Sequence, residues 1–231
     1  MPEFPADDEG HLHLVIDYLG HDLEPSILIG GWATFFRVGG DISHDIDLII
    51  ASPEVRQKVQ SVVSELSVSN HFHGTTWRGE VDGVHLDIYL PHESQLGNAL
   101  RLRVEILAEH TDDLGHGGWK LLTLEAHVVS KFAALLDRPD TEKGFKDARE
   151  IARLLEQGID PVAACRVLEA ATAGPKENLR EHVAEVFALL GPRAGLNKAQ
   201  RRAIERMRRE WDDAIVAATI TRTRERPPLE R

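Results

Sequence analysis

Cysteine is nearly absent from this 231-residue chain. The single Cys165 permits neither an internal disulfide nor a cysteine-built zinc site, which fits a reducing cytoplasm and a small buried residue. Long apolar runs are missing as well. The longest uncharged stretch, around residues 26–36, is about half a membrane span. The first ten residues carry Glu3, Asp7, Asp8 and Glu9 where an export signal needs apolar side chains. The chain therefore reads as soluble, cytoplasmic and without a membrane partner. No Gly-Lys-Ser/Thr follows a glycine turn, which sets aside a P-loop. Without cysteines or a His-Glu-x-x-His pattern, the pairs His11/His13, His71/His73 and His110/His116 read as surface residues rather than zinc ligands. Internal repeats and low-complexity runs are lacking too.

What is present is the composition of a packed protein, 42% hydrophobic and 28% charged, which excludes wholesale disorder. The net charge of −11 is unevenly spread. Residues 191–231 hold 11 Lys/Arg against 6 Asp/Glu, a net of +5, which leaves −16 for residues 1–190. An acidic body argues against a broad nucleic-acid groove in the first part, while the basic tail has room for one.

The first half alternates β-rich runs with helical patterns. Strands are expected at residues 27–29, 46–50 and 85–90, with weaker ones near 71–78 and 101–108. Helices are expected at residues 10–19, 32–38 and 53–66, the last opened by Ser52 as N-cap with Pro53 at its first position. From Leu121 onward, helical periodicity runs through residues 124–136, 142–156, 161–170, 176–190 and 198–220, punctuated by proline and glycine. The expected fold is α+β: an N-terminal mixed-sheet domain over residues 1–118, then a C-terminal helical bundle over 119–231. Gly115, Gly117 and Gly118 read as a hinge between them.

The informative segment spans residues 27–50: strand, Gly30-Gly31 turn, short helix, second glycine turn, then Asp45-Ile46-Asp47 entering an apolar run. In an extended chain residues i and i+2 share a face, so Asp45 and Asp47 project together. His85, Asp87 and Tyr89 share a face in the same way. If the two strands are neighbours, three carboxylates meet, which is ligand chemistry for hard divalent cations. Asp-x-Asp pairs also serve as turn and capping residues at strand starts. A glycine turn ahead of the pair can bring backbone N–H groups near a triphosphate. In the second half, Leu124, Val128, Val129, Phe132, Leu135 and Leu136 make an apolar helix face, with Lys131 and Arg138 along its edge. Asp147 and Lys143 border the stripe of the next helix. In the last helix Ile204, Met207, Trp211, Ile215 and Ala218 form a core face, while Arg202, Arg206 and Arg209 recur on another, either an RNA-tracking stripe or a solvated face.

Gly30-Gly31, Asp45, Asp47 and Asp87 resemble, in that order, the pattern of the polymerase-beta-like nucleotidyltransferase superfamily: a glycine turn, Asp-x-Asp and a later third Asp. Lys131, Ala134, Arg138, Lys146 and Asp147 resemble the helical signature of AbiEii/MenT-type nucleotidyltransferase toxins. The resemblance implies NTP as substrate, Mg²⁺ or Mn²⁺ as cofactor, and transfer of a nucleoside monophosphate to an acceptor, the 3′ end of tRNA. It further implies Asp45, Asp47 and Asp87 as metal ligands and catalytic groups together with Lys131. Gly30, Gly31, Ser43, Lys131, Arg138 and Asp147 would bind the nucleotide, and an antitoxin protein would be a partner. Asp41 departs from the family, which often carries a basic residue there, whereas Ser43 keeps a small hydroxyl. The acidic body favours an aminoglycoside-type small-molecule enzyme as an alternative. Asp41 and a tail without recognised likeness favour a catalytically silent binding protein on the same fold.

Overall fold

Branched apolar runs become strands and capped amphipathic runs become helices over residues 9–71 and 74–225, which the computed structural model describes. The first part runs α1 (Glu9–Asp22), β1 (Ile27–Ile29), α2 (Gly30–Val38), β2 (Asp45–Ile49), α3 (Pro53–Val62), β3 (Ser64–His71), β4 (Gly74–Val81) and β5 (Val84–Tyr89). It continues through β6 (Gln95–Leu96), β7 (Leu102–Arg103), α4 (Val104–Ala108), β8 (Thr111–His116) and β9 (Trp119–Leu122). Helices follow: α5 (Leu124–Asp137), α6 (Glu142–Leu155), α7 (Pro161–Ala171), α8 (Leu179–Arg193) and α9 (Lys198–Glu225). Seven strands make one mixed sheet in the order β3-β4-β5-β2-β1-β9-β8, with β2/β5 and β1/β9 parallel and the other pairs antiparallel. The architecture is the α+β arrangement that the sequence leads one to expect.

Alternation sorts the sheet. Leu28, Ile46, Leu48, Leu86 and Ile88 go to one face, packed with Leu12 and Ile16 of α1, Trp32 of α2 and Val59 of α3. Ile27, Ile29 and Ile49 go to the other, buried with Val129 and Phe132 of α5 and Ile151 of α6. Asp45, Asp47, Asp87 and Tyr89 are out of phase with the first set and belong to the second face. The helical bundle thus covers the face that carries the acids. Cys165 is buried as expected, and burial pushes its thiol up to about 12. Among the described residues no helix is long and apolar enough to cross a membrane.

Three expectations are corrected. The helix expected to residue 66 ends at Val62, because residues 64–71 alternate and pair as β3 with β4. The strand expected near 101–108 is cut to Leu102–Arg103; Val104 and Leu107, at helical spacing, are buried as α4 instead. Gly117 and Gly118 do not form an interdomain hinge. With φ of 55° and 84° they turn β8 into β9, and β9 joins the main sheet beside β1, pairing Lys120 with Ile27. Glycine announces a tight turn without saying whether sheet lies on both sides of it. Trp119, fully buried, donates its indole N–H to the Ile16 carbonyl at 2.8 Å and ties this hairpin to α1. The sheet gives way to helices only at Thr123, which caps α5. The strand expected over 71–78 is met by β4, with residues 72–73 outside the described ones.

A hairpin locked against α1 has a testable consequence at Gly20, where an added Cβ would stand 2.0 Å from the Gly117 carbonyl oxygen and 2.7 Å from the Trp119 indole nitrogen. Gly20→Ala should lower stability in urea denaturation by about 1–3 kcal/mol, the usual cost of overpacking. A flexible hinge would give the opposite sign, since alanine favours an open helix position by about 1 kcal/mol.

Candidate functional site

Strand register places the acids. Ile29, the last residue of β1, lies opposite Asp47, Asp47 opposite Asp87, and Asp87 opposite Arg78, one row across four strands. The chain passes from Ile29 directly into α2. Gly30 takes φ 68°, and a Cβ there would come within 2.1 Å of Asp47 Oδ2, so glycine is required both for backbone conformation and for room. Gly31 packs so closely on Ser43 that a Cβ would lie 2.7 Å from the serine Cβ. Ile29, at the N-cap, offers no side-chain acceptor, which leaves the opening N–H groups of α2 without a cap.

A cleft of about 320 Å³ opens over this row. It brings together Gly30, Gly31, Ser43, Asp45, Asp47, Asp87, Lys131, Arg138 and Asp147, all of the residues singled out in the sequence for the site. Tyr89, Lys143 and Glu150, which sequence reasoning did not place there, line it too.

The three carboxylates meet different fates. Burial alone would raise Asp45, but the Ser43 hydroxyl, donating at 2.5 Å, and the Lys143 ammonium at 2.9 Å hold it down at about 2. Asp87 accepts from Arg78 Nε at 2.9 Å. Asp47, between them, is raised to about 7 by burial and by the charges of Asp45 and Asp87, against the weaker pull of Lys131 and Arg138. Lys143 pairs with Asp45 and Arg78 with Asp87, and no group of three or more His, Cys, Asp or Glu among the described residues is gathered closely enough to hold a metal ion. The convergence expected from the sequence is one of strand register and shared cleft, with the side chains turned to their own cations.

Lys131 is not a helix-edge lysine in solvent. It is 4% exposed and ion-paired to Asp147 at 3.2 Å and Glu150 at 2.5 Å. Burial opposes its charge, but Glu150 and Asp147 more than offset this and its pKa is raised, so it stays protonated. Asp147 spends one oxygen on Lys131 and the other on Arg138 Nε at 2.7 Å, which makes it a brace for two cations at the cleft wall. Glu150 had one sequence signal, an acid within the apolar stripe of α6 and a turn from Lys146. The same helix answers the departure at Asp41. Arg149 pairs with Asp41 at 2.9 Å, Lys146 donates to the Ile42 carbonyl at 3.2 Å, and α6 thereby surrounds the loop before β2 with basic groups.

Beneath the glycine turn lies His127, fully buried and neutral, its pKa lowered to about 3 by burial and by Lys131 and Arg37. Thr34 Oγ1 donates to the Gly30 carbonyl at 3.0 Å, so its contact with His127 Nε2 at 3.1 Å has the ring as donor. One helix, α5, therefore supports the turn through His127 and reaches the cleft through Lys131. In α9, Ile204, Trp211 and Ile215 are buried and Arg202, Arg206 and Arg209 exposed, as their spacing implies.

No protein-family model and no curated protein matches the chain in sequence. Among solved structures, it is similar to an antigenic nucleotidyltransferase-like protein from Paracoccidioides brasiliensis (18% identity, TM-score 0.46, covering 79% of this chain and 93% of that one). It is also similar to the antibiotic-resistance factor ANT(2'')-Ia in solution (19% identity, TM-score 0.47, 78% and 97%) and to ANT(2'')-Ia with adenylyl-2''-tobramycin (16%, 0.47, 68% and 96%). These similarities are distant, and the reading of the site rests on its own geometry.

The strain at Asp47 can be measured. A carboxyl whose folded pKa stands above its unfolded value loses stability as pH rises between the two, here from about 4 to about 7. With divalent cations chelated, Asp47→Asn should therefore be more stable than the parent at pH 8, by up to a few kcal/mol, with the gain disappearing toward pH 4. Urea denaturation at several pH values reads this directly; a gain independent of pH would contradict it.

Proposed function

We propose that this chain is a metal-dependent nucleotidyltransferase that moves a nucleoside monophosphate from an NTP to an acceptor hydroxyl. One observation carries the reading: the register row that sets the Gly30 turn, Asp47 and Asp87 side by side, with Asp45 two residues away on the same face. The residues fit a hard divalent cation. Their donors are all carboxylate oxygens, the missing Cβ of Gly30 leaves space beside Asp47 Oδ2, and the Asp47 charge lacks sufficient positive compensation. Asp45, Asp47 and Asp87 would hold Mg²⁺ or Mn²⁺, which when bound supplies Lewis acidity at the phosphates.

The chain's own groups do the rest. The uncapped N–H groups of α2 seat the triphosphate at Gly30 and Gly31, beside Ser43. Lys131, fixed by Asp147 and Glu150, and Arg138 stabilise charge that develops on the leaving pyrophosphate. The acceptor oxygen bonds to the α-phosphorus while the bond from that phosphorus to the bridging oxygen breaks. The electron pair leaves with pyrophosphate, and the hydroxyl proton passes to Asp87.

The acceptor is the finer part of the proposal. The sequence resemblance points to the 3′ end of tRNA, a toxin role and a partner antitoxin, and the exposed arginines of α9 offer a polyanion a path. Among the described residues, six carboxylates against four basic side chains in the cleft favour a second reading, a cationic small molecule such as an aminoglycoside. A silent binding protein is disfavoured, because α6 supplies the basic groups missing at Asp41.

Incubation with α-labelled NTPs, Mg²⁺ and total tRNA or an aminoglycoside panel tests the activity. Asp45→Asn and Asp47→Asn should abolish transfer in folded protein, and Lys131→Gln should cost about 2–4 kcal/mol of transition-state stabilisation. Transfer at the parent rate in either aspartate variant would overturn the reading.

A further inference from the structure

The row of functional positions does not end at Asp87. On the far side of β5, β4 sets Arg78 opposite Asp87 and Thr76 opposite Tyr89, on the face the carboxylates occupy. A second hollow of about 300 Å³ opens there, lined by Thr76, Arg78, Tyr89, Gln95, Asn98 and Asp137. Tyr89 and Asp137 also line the first cleft, so the two spaces adjoin.

Direction follows from the chemistry of transfer. Entering and leaving oxygens stand roughly in line across the phosphorus. With the triphosphate tail at the Gly30 end of the row, the acceptor enters from the opposite end, over β5 and β4. Strands about 4.8 Å apart put β4 about 14 Å from β1, which leaves room for the reacting phosphate between tail and acceptor.

The lining states what the hollow accepts. Thr76, Gln95 and Asn98 are neutral hydrogen-bonding groups, Tyr89 offers a ring, and the Arg78 side chain is 58% exposed. Gln95 Oε1, buried in the wall, has no hydrogen-bond partner among the described residues. Asp137, the one carboxylate among the described residues of the lining, already accepts from the Asn98 and Ala99 backbone N–H groups at 2.9 Å and from Asn98 Nδ2 at 3.0 Å. A polycation there meets the Arg78 guanidinium, paired with Asp87 through Nε, and a carboxylate already hydrogen-bonded to Asn98 and Ala99.

We infer that this shelf on β4 is the acceptor subsite, and that it takes a sugar hydroxyl on a neutral or anionic molecule, a ribose with a phosphate nearby for Arg78. The inference rests on the nucleotidyltransferase reading and deepens it. The oxygen of that hydroxyl forms the new bond to the α-phosphorus of the NTP, its proton goes to Asp87, and pyrophosphate departs toward Gly30.

The test offers α-labelled ATP and Mn²⁺ with three acceptors, total tRNA, uridine 5′-monophosphate and tobramycin, to the parent and to a Thr76→Val/Gln95→Leu double variant. Equilibrium dialysis of ATP with Mn²⁺ runs alongside. Label in tRNA or in the mononucleotide, and not in tobramycin, is expected, and the comparison of those two arms tells an RNA end from a free nucleotide. The double variant should raise the KM for the labelled acceptor at least tenfold while ATP affinity stays within twofold. An unchanged acceptor KM, a preference for tobramycin, or ATP binding with no acceptor labelled would each overturn the subsite while leaving nucleotide binding intact. A parent protein that binds no ATP removes the nucleotidyltransferase reading, and the shelf with it.

Discussion

Like charge on one face of a sheet is the constraint around which this molecule is arranged. Carboxylates on neighbouring strands about 5 Å apart repel by about 3 kcal/mol per pair at an effective dielectric constant near 20. The protein answers in three ways at once. Asp45 is paired with Lys143, Asp87 with Arg78, and Asp47 between them is pushed toward protonation. Two of the compensating cations, Lys143 and Arg138, come from the helical half, and so does the buried Lys131. The helices therefore meet the acid-bearing face both through apolar burial against Ile27, Ile29 and Ile49 and through charge.

Charge recruited in this way needs its own order. A lysine as buried as Lys131 would lose its proton if left alone; Asp147 and Glu150 prevent that and at the same time fix where the ammonium stands. Removing either acid would leave the other to hold a buried cation, a more damaging change than losing a surface pair. Along α6, Lys143, Lys146 and Arg149 meet the loop before β2 one after another, so a single helix edge both neutralises Asp45 and secures the segment that presents it. Rigidity at the glycine turn has a similar origin, since His127 and Thr34 hold the Gly30 carbonyl from beneath.

Much of this was legible in the sequence because it is local. Period-two alternation at Asp45-Ile46-Asp47 and His85-Leu86-Asp87 fixes which face the acids take, and Ser52-Pro53 fixes the start of α3. The apolar face around Phe132 locates α5, although the same pattern put Lys131 at an edge where the packing of α6 buries it. What could not be read was set by distant partners. Nothing in Gly117-Gly118 tells that β9 will lie beside β1, and nothing local tells that Lys143 will reach Asp45 or Arg149 reach Asp41. Glu150 stands within the apolar stripe of α6, but its partner Lys131 lies on another helix, out of reach of local pattern.

The central claim is that Asp45, Asp47 and Asp87 act as a set, exchanging their internal cations for divalent metal when nucleotide arrives. A crystal structure with a non-hydrolysable ATP analogue and Mn²⁺, using the anomalous signal of manganese, tests it most directly. The account predicts manganese bonded to Asp45 and Asp47, the triphosphate against the start of α2, and Lys143 released from Asp45. Manganese or nucleotide bound away from these carboxylates, with the Lys143–Asp45 pair intact, would contradict it.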